Sequence, residues 1–195
     1  MISVIVADYN GGEVTQNCIN SIRVSTYCEY ELIVIDTYTN KQSYSQGLNE
    51  GIKKAKGDIL VCANNDIIVK QDCLTYIAET MQDKKIGIAN PMVLDMNSNI
   101  CKQVDYANGA CMVIRREALN KVGLFDEKFK IYFDDVDLSF RIRKAGYKIA
   151  VIEKAIIWHI GGSTTSKRSY FTNKRKHIHD IMRFMYKKIK GEYKW

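Results

Sequence analysis

Ile59-Leu60-Val61-Cys62-Ala63-Asn64-Asn65-Asp66 is the stretch on which the reading of this chain turns. Its first residues are an unbroken apolar run, the pattern of a strand buried on both faces. The run ends abruptly in two amides and a carboxylate. Open α/β sheets gather ligands at the carboxyl ends of their strands, so polar groups delivered there are candidate contacts. Asn and Asp also turn chains for purely local reasons, by bonding their own backbone. The segment alone leaves both readings open.

The same design recurs upstream. Ser3 to Ala7 reads as a strand running into Asp8-Tyr9-Asn10-Gly11-Gly12, and Glu31 to Asp36 as a strand closing on an acid. Between the strands, Val14, Cys18, Ile22 and Ser25 recur at helical spacing, as do Tyr44, Leu48, Ile52 and Ala55. Gly47 and Gly51, four apart, permit close approach to a neighbour. After Asp66 a third helix is predicted through Leu74, Ile77, Ala78 and Met81, then a strand over 86–89 that stops before Pro91, the only proline. Strand-helix alternation repeated three times predicts an α/β fold on a mostly parallel, buried sheet. No strand is followed by G-x-G-x-x-G or G-x-x-x-x-G-K, which disfavours dinucleotide and P-loop folds.

The second half is different. Ala110 to Ile114 reads as a strand and Arg116 to Lys121 as a short helix before Gly123-Leu124-Phe125-Asp126. Phe133-Asp134-Asp135-Val136-Asp137-Leu138 then gathers three acids within four residues. Asp134 suits an N-cap and acids suit a first helical turn, but three exceed what initiation needs. Leu138, Ile142 and Ala145 are predicted to face the core, and Asp135 shares their face. Gly146 stops the helix. Further strand at 148–152 and 155–158 runs into His159-Ile160-Gly161-Gly162. A histidine at such a turn is more often structural than a ligand.

The 195 residues are 46% hydrophobic and 26% charged, an ordinary globular composition for one domain. The N-terminus lacks the basic flank and cleavage site of a signal peptide, so the cytosol is the expected compartment. Six cysteines include no Cys-x-x-Cys pair, which argues against a zinc or redox site and for reduced thiols. The net charge of +7 is uneven: residues 167–195 hold ten Lys or Arg and two acids, leaving 1–166 at −1. Nucleic acid is therefore a disfavoured partner for the body. In the tail, Ile178, Ile181, Met182, Met185 and Ile189 form one apolar stripe. Either that stripe docks on the body, or the basic amphipathic helix lies on an anionic membrane surface. His177 and His179 are not on one helix face.

Taken in order, Ser3 to Gly12, Glu31 to Asp36 with Gly47-Leu48-Asn49, Ala55 to Asp66, and Gly109 through Asp134-Asp135-Val136-Asp137-Leu138 to His159 resemble an inverting glycosyltransferase of the GT-A fold, family 2, with its rhamnosyltransferase-like members. The resemblance covers residues 3 to about 165. It implies a catalytic domain at 1–166, with a nucleotide-sugar half to about residue 90 and an acceptor half at 91–166, followed by the tail at 167–195. It implies that Asp8, Tyr9, Asn10, Asp36, Asn49 and Asn65 contact the nucleotide. Asp66 would be the last acid of a metal-binding Asp-x-Asp motif, with His159 near the metal or diphosphate. Asp135 would be the general base and Asp134 its supporting neighbour. The implied cofactor is Mn2+ or Mg2+. The implied partners are a UDP-, dTDP- or GDP-linked sugar and a glycan, lipid-linked or protein acceptor. Asn64 stands where the motif's first Asp is usual, Asp134 where Glu is more common, and Thr39 and Asn40 replace an expected Ser and Asp. Two alternatives remain: a sugar nucleotidyltransferase, though the Asp8–Glu13 loop lacks its basic residue, and a non-catalytic nucleotide- or membrane-binding module.

Overall fold

Alternating apolar side chains in the strands need cover on two faces, and the chain supplies a helical layer for each. The strands are β1 (Ile2–Asp8), β2 (Tyr30–Asp36), β3 (Ile59–Asn64), β4 (Ile67–Val69), β5 (Ile86–Leu94), β6 (Cys111–Arg115) and β7 (Lys148–His159). The helices are α1 (Glu13–Arg23), α2 (Tyr44–Lys54), α3 (Cys73–Thr80), α4 (Arg116–Val122), α5 (Asp134–Lys144) and α6 (Tyr170–Ile189). The computed structural model describes residues 1–27, 29–97, 99–100, 106–161 and 170–193, without the side chains of 170–173. The strands form one sheet in the order β2-β1-β3-β6-β5-β7-β4. Val4, Val6, Val61, Ala63 and Val113 meet α1 and α3 on one face. Ile5, Leu60, Cys62, Met112 and Ile114 meet α2, α4 and α5 on the other.

The sheet is mixed. β1 pairs in parallel with β2 and β3, and β5 with β7, whereas β6 and β4 run antiparallel to their neighbours. The carboxyl ends of β1, β2, β3, β5 and β7 therefore share one edge. Two strand expectations change. β2 reads like β3 in sequence but is an edge strand with Val34 exposed, because an apolar run does not say how many neighbours a strand has. β5 continues through Pro91 to Leu94, since a register shift in its pairing with β7 falls between Pro91 and Met92, where the missing N–H costs no ladder bond. β4, three residues long, is too short to leave a periodic signal.

The glycines of α2 behave as predicted. A Cβ on Gly51 would lie 2.3 Å from Ile5 Cγ2, and one on Gly47 2.3 Å from Thr37 Cγ2, so α2 sits directly on the sheet. α5 departs from expectation at both ends. Its N-cap is Phe133, in the left-handed region at φ 70, and Asp134 is the first helical residue, making no cap bond. Ala145 is exposed at the C-cap, while Leu138 and Ile142 are fully buried.

The basic tail also docks differently. α6 packs on the body through Asp180, Arg183, Phe184 and Lys187, and the chain after it returns Tyr193 to the same contact. Asp180 accepts backbone N–H bonds from Lys130, Ile131 and Tyr132 at 2.9, 2.9 and 3.1 Å. Lys187 pairs with Asp126 and Asp137, and Arg183 with Asp126. Phe184 stacks between Phe133 and Tyr193. The predicted apolar stripe is left outside. Among the described residues no helix is long and apolar enough to cross a membrane.

Candidate functional site

The shared strand edge brings most of the predicted site residues together. Asp8 ends β1 opposite Asp36 of β2, and Ala7 is opposite Asn64 of β3. Asp8 Oδ1 accepts from Gly11 N (3.0 Å), Thr15 Oγ1 (2.6 Å) and Asn65 Nδ2 (2.8 Å). Asn65 also donates to Thr15 Oγ1 at 2.9 Å. The half-buried Asp8 and the buried Asn65 thus form a clamp that fixes the β1–α1 turn against the end of β3. Asn49 lies elsewhere. Its Nδ2 reaches Phe125 O (3.0 Å) and Glu127 Oε1 (2.8 Å), and its Oδ1 accepts from Phe125 N (3.0 Å). That buried amide brackets α2 to the loop after α4, a structural task, and offers no surface to a nucleotide.

The exposed part of this edge is aromatic. Tyr9 and Tyr38 are exposed and meet edge to face, with ring centroids 5.3 Å apart. Asn10 sits beside them at φ 53, a left-handed turn. Asp36 is exposed, and hydrogen bonds from the Thr39 side chain and backbone hold its carboxyl below the ordinary range. It remains an anionic acceptor two residues before the exposed Tyr38. Tyr38 was not singled out in the sequence. Its signal is an aromatic residue two positions past a strand-ending acid.

A second group lies at the end of β3. β4 pairs with the last residues of β7, which sets Ile67 opposite His159, and Ile160 N donates to Asp66 O at 2.9 Å. His159 Nε2 is consequently 3.2 Å from Asp66 Oδ1 and 3.4 Å from Asn64 Nδ2. Asp66 is only 6% exposed. No cluster of three or more His, Cys, Asp or Glu exists among the described residues. The donor set of one carboxylate, one imidazole and one amide fits a divalent cation such as Mn2+, provided a ligand's own oxygens complete the shell.

The acids of α5 meet this edge through the residues before β6. Four successive backbone N–H groups there are all committed: Ala107 to Ser139 Oγ (2.9 Å), Asn108 to Asn90 Oδ1 (2.8 Å), Gly109 to Asp135 Oδ2 (2.9 Å) and Ala110 to Asn108 Oδ1 (2.8 Å). Ala110 O accepts from Asn64 N at 3.0 Å, and Tyr44 OH donates to Gly109 O at 2.9 Å. Two residues of backbone therefore join the end of β3 to the Asp135 carboxylate. Asp135 Oδ1 also accepts from Val136 N at 2.8 Å. Asp134 Oδ2 accepts from Ser45 Oγ at 2.8 Å. Burial, and then the neighbouring Asp135 charge, pushes Asp134 up to about 7; burial also raises Asp135.

Asp135 is not the most inward of the three acids, as its helical face suggested. It is half-buried, Asp134 is buried, and Asp137 is 0% exposed. Asp137 is matched by Arg141 Nε at 2.8 Å, Tyr193 OH at 2.8 Å and Lys187. Among the described cysteines, Cys18 touches this edge through its Sγ, 3.7 Å from Asn64 O. Cys18, Cys62, Cys73 and Cys111 are buried free thiols, and burial pushes the first three up to about 12.

Residues 92–178 match the family described as "Glycosyltransferase like family 2". The N-acetylglucosaminyl-diphospho-decaprenol L-rhamnosyltransferase of Mycobacterium tuberculosis is 35% identical over 66 residues, which are 34% of this chain and 22% of that protein. The poly-β-1,6-N-acetyl-D-glucosamine synthase of Staphylococcus epidermidis is 23% identical over 204 residues, covering 80% of this chain and 49% of that one. Over these stretches the chain is similar to family 2 glycosyltransferases. Its α/β fold is of the GT-A type. A mannosyltransferase of Pyrobaculum calidifontis, solved with GDP-Man and Mn2+, superposes with a TM-score of 0.73 at 16% identity, over 97% of this chain and 64% of that one. The chain spans between about a fifth and about half the length of these two curated relatives. The family match contains the acid cluster of α5, His159 and the first half of α6.

Proposed function

We propose that this chain transfers a sugar from a nucleoside-diphosphate donor to a hydroxyl acceptor, with inversion and with a divalent cation. The observation that carries the reading is the Gly109–Ala110 connection, which holds a carboxylate of raised pKa beside the strand end that bears Asp66. In this reading Asp36, Tyr9, Asn10 and Tyr38 receive the nucleoside, with Asp8 and Asn65 as the clamp that shapes their loop. Asp66 and His159 would hold the cation, Mn2+ or Mg2+, with Asn64 beside them. The cation would supply the positive charge that a departing diphosphate needs. The Mn2+ and GDP-Man in the neighbouring mannosyltransferase and the rhamnosyltransferase named among the relatives support this reading.

The protein's own part in the chemistry follows from Asp135. A sugar hydroxyl is a weak nucleophile, and a base that takes its proton during attack must stay ionised while being stronger than a free carboxylate. Burial raises Asp135, and two backbone N–H donors keep it aimed and ionisable. The acceptor oxygen bonds to the anomeric carbon as the bond from that carbon to the diphosphate oxygen breaks. The proton passes to Asp135, and the nucleoside diphosphate leaves with the electron pair. Attack opposite the leaving group inverts the centre through an oxocarbenium-like transition state. Asp134 backs this base and takes up negative charge only reluctantly. The decaprenol-linked substrate in one relative's name supports a lipid-linked or glycan acceptor. The buried free thiols suit a cytoplasmic setting.

The test is a panel of UDP-, GDP- and dTDP-sugars with Mn2+ and a short lipid-diphosphate sugar acceptor. Release of nucleoside diphosphate with one donor class, dependent on the cation and giving an inverted product, is expected. No release from any donor would overturn the transferase reading, and a retained anomer would overturn inversion.

A further inference from the structure

α6 docks by its charged face and shows its greasy one. Its 20 residues, about 30 Å of helix, would ordinarily bury the apolar stripe and solvate the ions. Here Asp180, Arg183 and Lys187 are spent on the body, and the opposite face carries Ile178, Ile181, Met182, Met185 and Ile189. Their exposure reaches 50% at Ile178, 67% at Met182 and 80% at Ile189. A continuous apolar strip of this length on one element marks an interaction surface.

Its charges identify the occupant. Asp180 is the only acid between residues 170 and 189 and it is fully buried, so the outer half of α6 carries cations alone. Lys174, Arg175, Lys188 and Lys190 are exposed around the stripe. A second copy of this chain laid along the stripe would bring cations against cations. Nucleic acid would satisfy the cations and leave five apolar side chains in water. An anionic bilayer surface satisfies both, taking Ile and Met at the acyl boundary and Lys and Arg among the headgroups.

We propose that α6 seats the protein on an anionic lipid surface through Ile178, Ile181, Met182, Met185 and Ile189, with Lys174, Arg175, Lys188 and Lys190 on the headgroups. The seat adjoins the candidate active site, because Asp180 holds the backbone of residues 130–132 immediately ahead of Asp134. Ile131 and Tyr132 are exposed on that same segment. The surface stands without the transferase reading. If that reading holds, the seat also brings the acid pair near an acceptor carried in the bilayer.

Co-sedimentation of the full chain with vesicles tests it, comparing phosphatidylcholine alone with phosphatidylcholine containing phosphatidylglycerol, at low and at high salt. The wild type is expected in the pellet only with the anionic vesicles, less so as salt rises. The variant Met182→Gln/Met185→Gln/Ile189→Gln, which alters only exposed side chains, should keep its Tm and lose binding at least about tenfold. Wild type left in the supernatant with anionic vesicles would overturn the proposal. So would binding unchanged in the triple variant, or light scattering showing a dimer that the same substitutions dissolve. Release of nucleoside diphosphate with a soluble acceptor, measured on the same triple variant, should be unaffected, which separates failure of the seat from failure of the catalytic reading.

Discussion

At the start of α5, Asp134 and Asp135 look toward Ser45 and Gly109; Asp137, on the other side of the same turn, looks toward α6. The residue type is the same and the treatment is opposite. Asp137 is fully buried and receives two cations and a phenol, from Arg141, Lys187 and Tyr193. Asp134 and Asp135 receive only a hydroxyl and backbone N–H groups, and they crowd each other. Neutralised acids hold structure together. Acids denied cations keep a raised proton affinity, and that is the property a proton-transfer group needs. Asp137 is thus a structural carboxylate, whereas Asp134 and Asp135 have the surroundings that the proposed proton transfer requires.

The strongest way to break this division is at Asp135. Asp135→Asn keeps the shape and the bonds from Gly109 while removing the base, so transfer should fall about 10²–10⁴-fold. Nucleotide binding, read by calorimetry, should change little. Comparable turnover would remove Asp135 from the reaction. On the structural side, Lys187→Ala leaves Asp137 without its lysine and is expected to cost about 3–5 kcal/mol in chemical unfolding. A loss near zero would mean that α6 does not lock α5.

A subtler test uses pH. Asp134 titrates near 7 in the folded protein against an ordinary value of 3.8. Its contribution to stability is full below about pH 3.8 and is lost as pH rises through about 7, because ionising a buried carboxyl then opposes folding. Asp134→Asn abolishes that loss. The variant should gain on the wild type by about 1–3 kcal/mol between pH 5 and pH 8. A difference independent of pH would contradict the raised proton affinity, and a gain confined to low pH would reverse its sign.

How far the sequence foretold these two regions depends on the range of the interactions involved. β1, α1, α2 and β3 were legible because each carries its own apolar period and its own terminator. Asp66 and His159 were both named from the chain. Their 3.2 Å approach was not, since it depends on β4, three residues that pair with the end of β7. The family resemblance implied that Asn49 contacts the nucleotide, and an amide in a helix shows no partner in sequence that would say otherwise. Its partners Phe125 and Glu127 lie 76 and 78 residues away. The stripe of α6 was visible as a stripe. That it faces outward could not be read, because the docking face is chosen by Asp126, Asp137 and the backbone of residues 130–132, far along the chain.

Calorimetry asks directly whether the strand edge joins a cation to a nucleotide. UDP, GDP and dTDP are titrated into the wild type and into Asp66→Ala, each with and without Mn2+. One nucleotide should bind, with Mn2+ strengthening it about tenfold or more in the wild type, and that gain should vanish in Asp66→Ala. Binding of no nucleotide, or a Mn2+ effect equal in both proteins, would mean that Asp66 does not link a cation to a nucleotide at this edge.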